Sequence, residues 1–135
     1  MLASGLPEYV DDLEPLSRFL TSDGQFNSAM PRPSAFMPGP SDAKTSVFRQ
    51  GRDPQEALWE TADREMGTLR RVRAAALLTA GAVRQAKLDV ESHEPPPRHA
   101  NILGWPNAAN DAESTRAQRK EFALLLAQAA TLVRR

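Results

Sequence analysis

Three features of the 135-residue sequence predict a small single α+β domain. Short stretches with strand character, Leu16–Thr21 and Thr45–Arg49, lie in the first half among prolines and turn residues. A capped helix start follows at Asp53-Pro54-Gln55-Glu56. A long alanine- and leucine-rich helical pattern closes the chain. The expected architecture is a set of short, antiparallel-leaning strands packed by two or three helices, with the C-terminal helix closing the core.

Each element has a local reason. Residues 1–14 are acidic and mixed, and are expected as a mobile lead-in or a short helix ahead of one domain at 15–135. Leu16, Arg18 and Leu20 alternate with Ser17, Phe19 and Thr21, a strand pattern that ends in the turn residues Ser22-Asp23-Gly24. Between Met30 and Pro40 four prolines limit any strand to a brief edge piece. Thr45–Arg49 is a second strand, and Phe19, Phe36 and Phe48 are the expected core anchors. Asp53 as N-cap, Pro54 at N1 and Glu56 at N3 predict a helix to about Met66, stopped by Gly67, with Leu58, Ala62 and Met66 buried beside Trp59. Leu69–Leu78 reads two ways, as a strand followed by a helix capped by Thr79, or as one helix over 69–87 weakened by Gly81. The first is preferred, with Leu88–Glu91 as a further strand. Asn110 and Glu113 predict a cap for the last helix, which should run to Val133. Phe122, Leu125, Leu126, Ala129 and Val133 would be its buried stripe, with Leu124 and Leu132 beside it, and Arg134 and Arg135 would complement its dipole.

Composition narrows the function. Apolar residues are 41% and charged residues 25%, ordinary for a globular chain. Seventeen basic and seventeen acidic residues cancel, so the global field of a nucleic-acid or membrane coat is absent. With no cysteine, a disulfide scaffold, a thiolate zinc site and a cysteine nucleophile are excluded. No apolar run reaches the roughly 18 residues of a membrane span, and the acidic start does not read as a signal peptide. A cytoplasmic protein without membrane contact is the expectation.

The segment Glu94-Pro95-Pro96-Pro97-Arg98-His99-Ala100-Asn101-Ile102-Leu103-Gly104-Trp105-Pro106 holds four of the eleven prolines and one of the two tryptophans. Prolines fix φ and remove donors, so the segment is stiff without regular structure. His93 and His99 with Glu91 and Glu94 match no zinc spacing, and neither metal nor cofactor is expected. A plainer role has His99 bonded to a backbone carbonyl while Arg98 or Asn101 pins a neighbouring loop. A general acid/base role for His99, helped by Arg98 and Asn101, lacks a nucleophile in the sequence. Arg70, Arg71 and Arg73 could meet phosphates, but interleaved aromatics are missing and ion pairs with Glu60, Asp63 and Glu65 compete. Trp105 is either a docking knob or a core plug.

The segments Arg18-Phe19-Leu20, Ser34-Ala35-Phe36-Met37-Pro38 and Ser46-Val47-Phe48-Arg49, together with Pro96-Pro97-Arg98-His99-Ala100-Asn101-Ile102-Leu103-Gly104-Trp105-Pro106, resemble a group of small bacterial proteins without an established activity. The resemblance spans most of residues 15–130, and its second motif is the more specific half. It carries over no catalytic residue. It implies an accessory subunit of a larger complex, encoded in mobile-element or defence-type loci. The expected function is therefore a non-catalytic interaction subunit with a larger protein partner, touching it through Arg98, His99, Asn101, Trp105, Leu124 and Leu132. The alternatives are a nucleic-acid contact through Arg70, Arg71 and Arg73, and a small enzyme centred on His99.

Overall fold

Burial on two sides, more than alternation, makes the alanine-rich strand at Ala74–Thr79, whereas the edge strand Asp89–Ser92 keeps an alternating pattern. The computed structural model describes residues 2–40, 42–51, 56–67, 71–107 and 112–135. Its strands are β1 (Pro15–Leu20), β2 (Thr45–Arg49), β3 (Ala74–Thr79), β4 (Asp89–Ser92), β5 (His99–Leu103) and β6 (Thr131–Arg134). Its helices are α1 (Glu56–Met66), α2 (Ala80–Gln85) and α3 (Ala112–Ala129). All six strands form one sheet in the order β4-β5-β2-β1-β3-β6, and every pairing is antiparallel. The predicted α+β class is therefore the observed one.

The sheet is covered on both faces. Leu16, Leu20, Val47, Ala74, Ala76, Leu78, Ala100 and Ile102 face the larger core, which α2, α3 and the 3-10 turn Pro33–Ala35 complete with Phe36, Val83, Ala123 and Leu126. Phe19, Phe48 and Ala75 face a smaller core closed by Leu58 and Ala62 of α1 and by Val72. Burial on both sides explains why the alanine run of β3 is a strand despite its helix propensity. The three expected phenylalanine anchors are all buried, Phe36 completely.

Local chemistry sets the boundaries. Thr79 caps α2, its hydroxyl accepting from the Ala82 N–H at 3.2 Å, as the Thr79 reading predicts. Gly67 follows α1 at φ +66°, a conformation open to glycine. Asp53, Pro54 and Gln55 lie outside the described residues, as do Asn110 and Arg70, so the two predicted caps and one arginine of the strip are not described. Between Met30 and Pro40 the chain makes one bridge, Phe26–Pro31, and no strand.

The closing helix departs from expectation. It ends at Ala129, and Thr131–Arg134 turns back as β6 beside β3, pairing Leu132 with Ala76 and Val133 with Ala75. Thr131 and Val133 are β-branched and suit a strand edge. The buried face of α3 is Thr115, Ala123, Leu126 and Ala127, while Leu124 and Leu125 are exposed. Ala123 and Ala127 let the helix lie close on the sheet and the Pro33–Ala35 turn around Leu126, while Leu124 and Leu125 are turned outward. Arg134 and Arg135 therefore serve no helix dipole: Arg134 lies over the Phe26 ring and Arg135 pairs with Asp63 at 2.6 Å.

Residues 2–14 form no helix. The segment is tied across the ends of β2 and β4 and the start of α2. The Asp12 and Glu14 carbonyls accept from Gly81 at 2.8 Å and Ala80 at 3.0 Å, satisfying the first donors of α2. Val10 is buried in the larger core. The fully buried Arg49 guanidinium donates to both Glu14 carboxylate oxygens, to the Pro7 carbonyl and to the Ser92 hydroxyl, each at 2.6 Å.

Candidate functional site

The sequence predicts a proline segment without regular structure, and the structure corrects this. Residues 94–98 turn the chain out of β4, but the proline run ends before His99, and His99–Leu103 pairs with β2 and β4 as β5, with His99 at its first position. Register then places His99 opposite Phe48, and Asn101 opposite Ser46, in the β2–β5 ladder. Residues two apart on a strand share a face, so Ser46, Phe48, His99 and Asn101 stand on one side of the sheet. Directly opposed side chains in such a ladder lie within reach of each other.

His99 is held at both ring nitrogens. Its Nδ1 lies 2.9 Å from the His93 carbonyl oxygen, a contact only an N–H can make. The His93 Nδ1 is 3.2 Å from the same atom and can accept from it too. With the proton on Nδ1, Nε2 is the acceptor, and the Ser46 hydroxyl donates to it at 2.6 Å. The ring packs edge-on to Phe48 with centroids 5.5 Å apart. Burial lowers the His99 pKa below the ordinary histidine value, so the ring is neutral at pH 7. His99 is buried, yet Ser46 is exposed. An accessible hydroxyl thus faces the lone pair of an oriented, neutral imidazole.

The hydroxyl and the ring open into a cleft of about 280 Å³ lined by Arg18, Phe19, Ser46, Phe48, Met66, Pro96 and His99. Four of these side chains are apolar. Arg18 enters because the β1–β2 ladder stops at the Ser17–Phe48 pair. Past that point its Nε donates to the Ala35 carbonyl and its Nη1 to the Ser46 carbonyl, both at 2.9 Å.

The other sequence candidates have structural partners. Arg98, at φ +71°, donates through Nη1 to the Gln50 carbonyl at 3.0 Å and ties the proline segment to the end of β2. Glu94 accepts from the Arg98 amide at 3.0 Å and from the Ser4 hydroxyl at 2.5 Å. Partial burial opposes its charge, but these bonds outweigh that and hold its carboxyl below the usual range. Trp105 is the core plug, 5% exposed, with its indole N–H on the Ile102 carbonyl at 3.2 Å. Leu124 is exposed on α3, and Leu132, in β6, packs against the larger core. Arg71 is exposed, and Arg73 pairs with Asp23 rather than with an acid of α1. Among the described residues no three of His, Cys, Asp or Glu converge to hold a metal, and no helix is long and apolar enough to cross a membrane.

The sequence reading found no nucleophile for His99. Ser46 supplies a hydroxyl in that position, brought there by strand pairing across 53 residues. Alternation with Phe48 set its face, but nothing local named β5 as the neighbour. Comparison of the chain with protein-family models, curated proteins and solved structures finds no match.

Proposed function

We propose that the protein is a small enzyme centred on His99, with Ser46 as the nucleophile of an acyl-transfer reaction on small esters. One observation carries this reading: the exposed Ser46 hydroxyl is 2.6 Å from Nε2 of a His99 ring whose Nδ1 is fixed on the His93 carbonyl. This is the nucleophile–base–orienter order of serine hydrolases, with a backbone carbonyl as orienter. In the first half-reaction Ser46 Oγ bonds to the ester carbonyl carbon as its proton passes to His99 Nε2. The carbon–oxygen bond to the leaving group then breaks, and the leaving oxygen takes that proton. Water repeats the sequence in the second half: it adds to the acyl carbon, gives a proton to Nε2, and Oγ departs and takes that proton. Asn101, opposite Ser46 in the ladder and on the same face, is the residue assigned to donate to the developing oxyanion.

The test is labelling of the folded protein with a fluorophosphonate probe, followed by mass mapping, together with turnover of p-nitrophenyl acetate. One adduct on Ser46 is expected, absent in Ser46→Ala and slowed about 100-fold or more in His99→Gln, with both variants folded at the assay temperature. A folded wild-type protein that gives neither adduct nor turnover would sink the reading. So would equal labelling of His99→Gln.

The interaction-subunit reading is favoured by a separate feature, the adjacent exposed leucines Leu124 and Leu125 on α3. It moves the contact surface from the proline segment, whose Glu94, Arg98, His99 and Trp105 are bonded or packed internally, to the outer side of that helix. Co-purification of a partner that Leu124→Glu with Leu125→Glu abolishes would support it. A partner retained by that double variant would count against it.

A further inference from the structure

We infer that the cleft selects a ligand carrying a carboxylate, recognised by Arg18. The inference rests on reading the Ser46–His99 cleft as a substrate site. Arg49, Arg64, Arg73, Arg84 and Arg135 are each paired with a carboxylate. Arg18 is half-buried and, among the described residues, pairs with none. Its Nε and Nη1 meet only the neutral carbonyls of Ala35 and Ser46. Glu65, whose charge reaches His99, is itself bonded to Arg64 at 2.8 Å.

A cation drawn out of water without a counter-charge is costly, and an anion entering beside it recovers that cost. Arg18 lines the same cleft as Ser46 and His99, and its Nη2 has no hydrogen-bond partner among the described residues. The guanidinium offers N–H donors that suit a carboxylate. The other walls, Phe19, Phe48, Met66 and Pro96, are apolar and suit a short hydrocarbon body. At about 280 Å³ the space falls just below the ~300 Å³ at which ligand sites ordinarily begin, so it admits only a short ligand. A short-chain organic acid, or an ester that retains one free carboxylate, meets all three conditions.

The experiment titrates Ser46→Ala protein, which keeps the cleft but cannot turn over, with sodium butyrate, the neutral isostere butyramide and inorganic phosphate. Histidine ring resonances report binding at the site. Butyrate is expected to bind at least 10-fold more tightly than butyramide. Adding Arg18→Gln should bring butyrate down to the butyramide level while leaving butyramide unchanged. Equal affinity for acid and amide, no effect of Arg18→Gln, or tighter binding of phosphate than of butyrate would each overturn the assignment. Should Arg18→Gln not fold, the acid-against-amide comparison decides alone. The readout is binding, so an unreactive Ser46 would fail the catalytic reading and leave this result standing, whereas labelling without acid preference would do the reverse.

Discussion

At the scale of single residues, His99 joins stability to pH. Its folded pKa lies below 6.5 because the ring is buried as the neutral form. As pH falls, the unfolded chain protonates this histidine first, so it binds more protons than the folded one and stability declines. This contribution is intact above about pH 6.5 and is lost as pH drops through the folded value. Urea midpoints measured from pH 7.5 to 5 should therefore fall more steeply in wild type than in His99→Gln. Glu94, Asp89 and Asp63, whose carboxyls lie below their ordinary values, act in the same direction at more acidic pH and cancel in the comparison. A second residue-scale prediction concerns glycine. Gly51 has φ +60°, and a Cβ there would lie 2.9 Å from Leu6 Cδ2, while Gly67 has φ +66° with nothing within 4 Å. Gly67→Ala should cost only the left-handed penalty, about 1–2 kcal/mol, and Gly51→Ala much the same by thermal denaturation, since the Leu6 methyl ends a flexible side chain that can turn aside. His99 bonded to a carbonyl and Arg98 as a pin were both legible in the sequence. The role of Ser46 was not, because an isolated serine in a strand looks like any solvent-facing residue.

At the scale of elements, Arg49 fastens the segment before β1. Arg49→Leu leaves Glu14 with an uncompensated, mostly buried charge and should cost about 3–5 kcal/mol. Removing both charges in Arg49→Leu with Glu14→Leu should give a protein more stable than the single variant, a recovery that chemical denaturation would read directly. It will not be complete, since Pro7 and Ser92 also lose a donor. Most strands and helices could be read locally, since the Thr79 cap, the Gly67 stop and the strand at Thr45–Arg49 need no distant partner. Two elements could not: β5, which lies in the proline-rich segment and is made a strand only by β2 and β4 on its flanks, and the end of α3. Leucine and alanine favour helix through Val133, and only the open edge of β3 pulls Thr131–Arg134 into the sheet. The helix face was legible in part: Leu126 and Phe122 pack on the core as the pattern predicts, but hydrophobicity also marks Leu125, where close approach to the sheet and the Pro33–Ala35 turn instead buries Ala123 and Ala127.

At the scale of the molecule, the sheet order was out of reach from sequence. Neighbours such as β2 and β5 are separated by more than a third of the chain, and their pairing depends on both faces being covered at once. The candidate site depends on that order, since the hydroxyl and the imidazole belong to different strands. The smaller core also matters to it, because α1 supplies both Leu58 in that core and Met66 in the cleft wall. Leu58→Ala should lower stability by about 2–5 kcal/mol and slow probe labelling of Ser46, measured below the melting range. The guanidinium clamp on the opening segment has one more consequence. Peeling that segment away would strand an ion inside the protein, so it should come loose only when the sheet itself gives way. A protease added to the native chain should then cut residues 2–14 no faster than the interior strands.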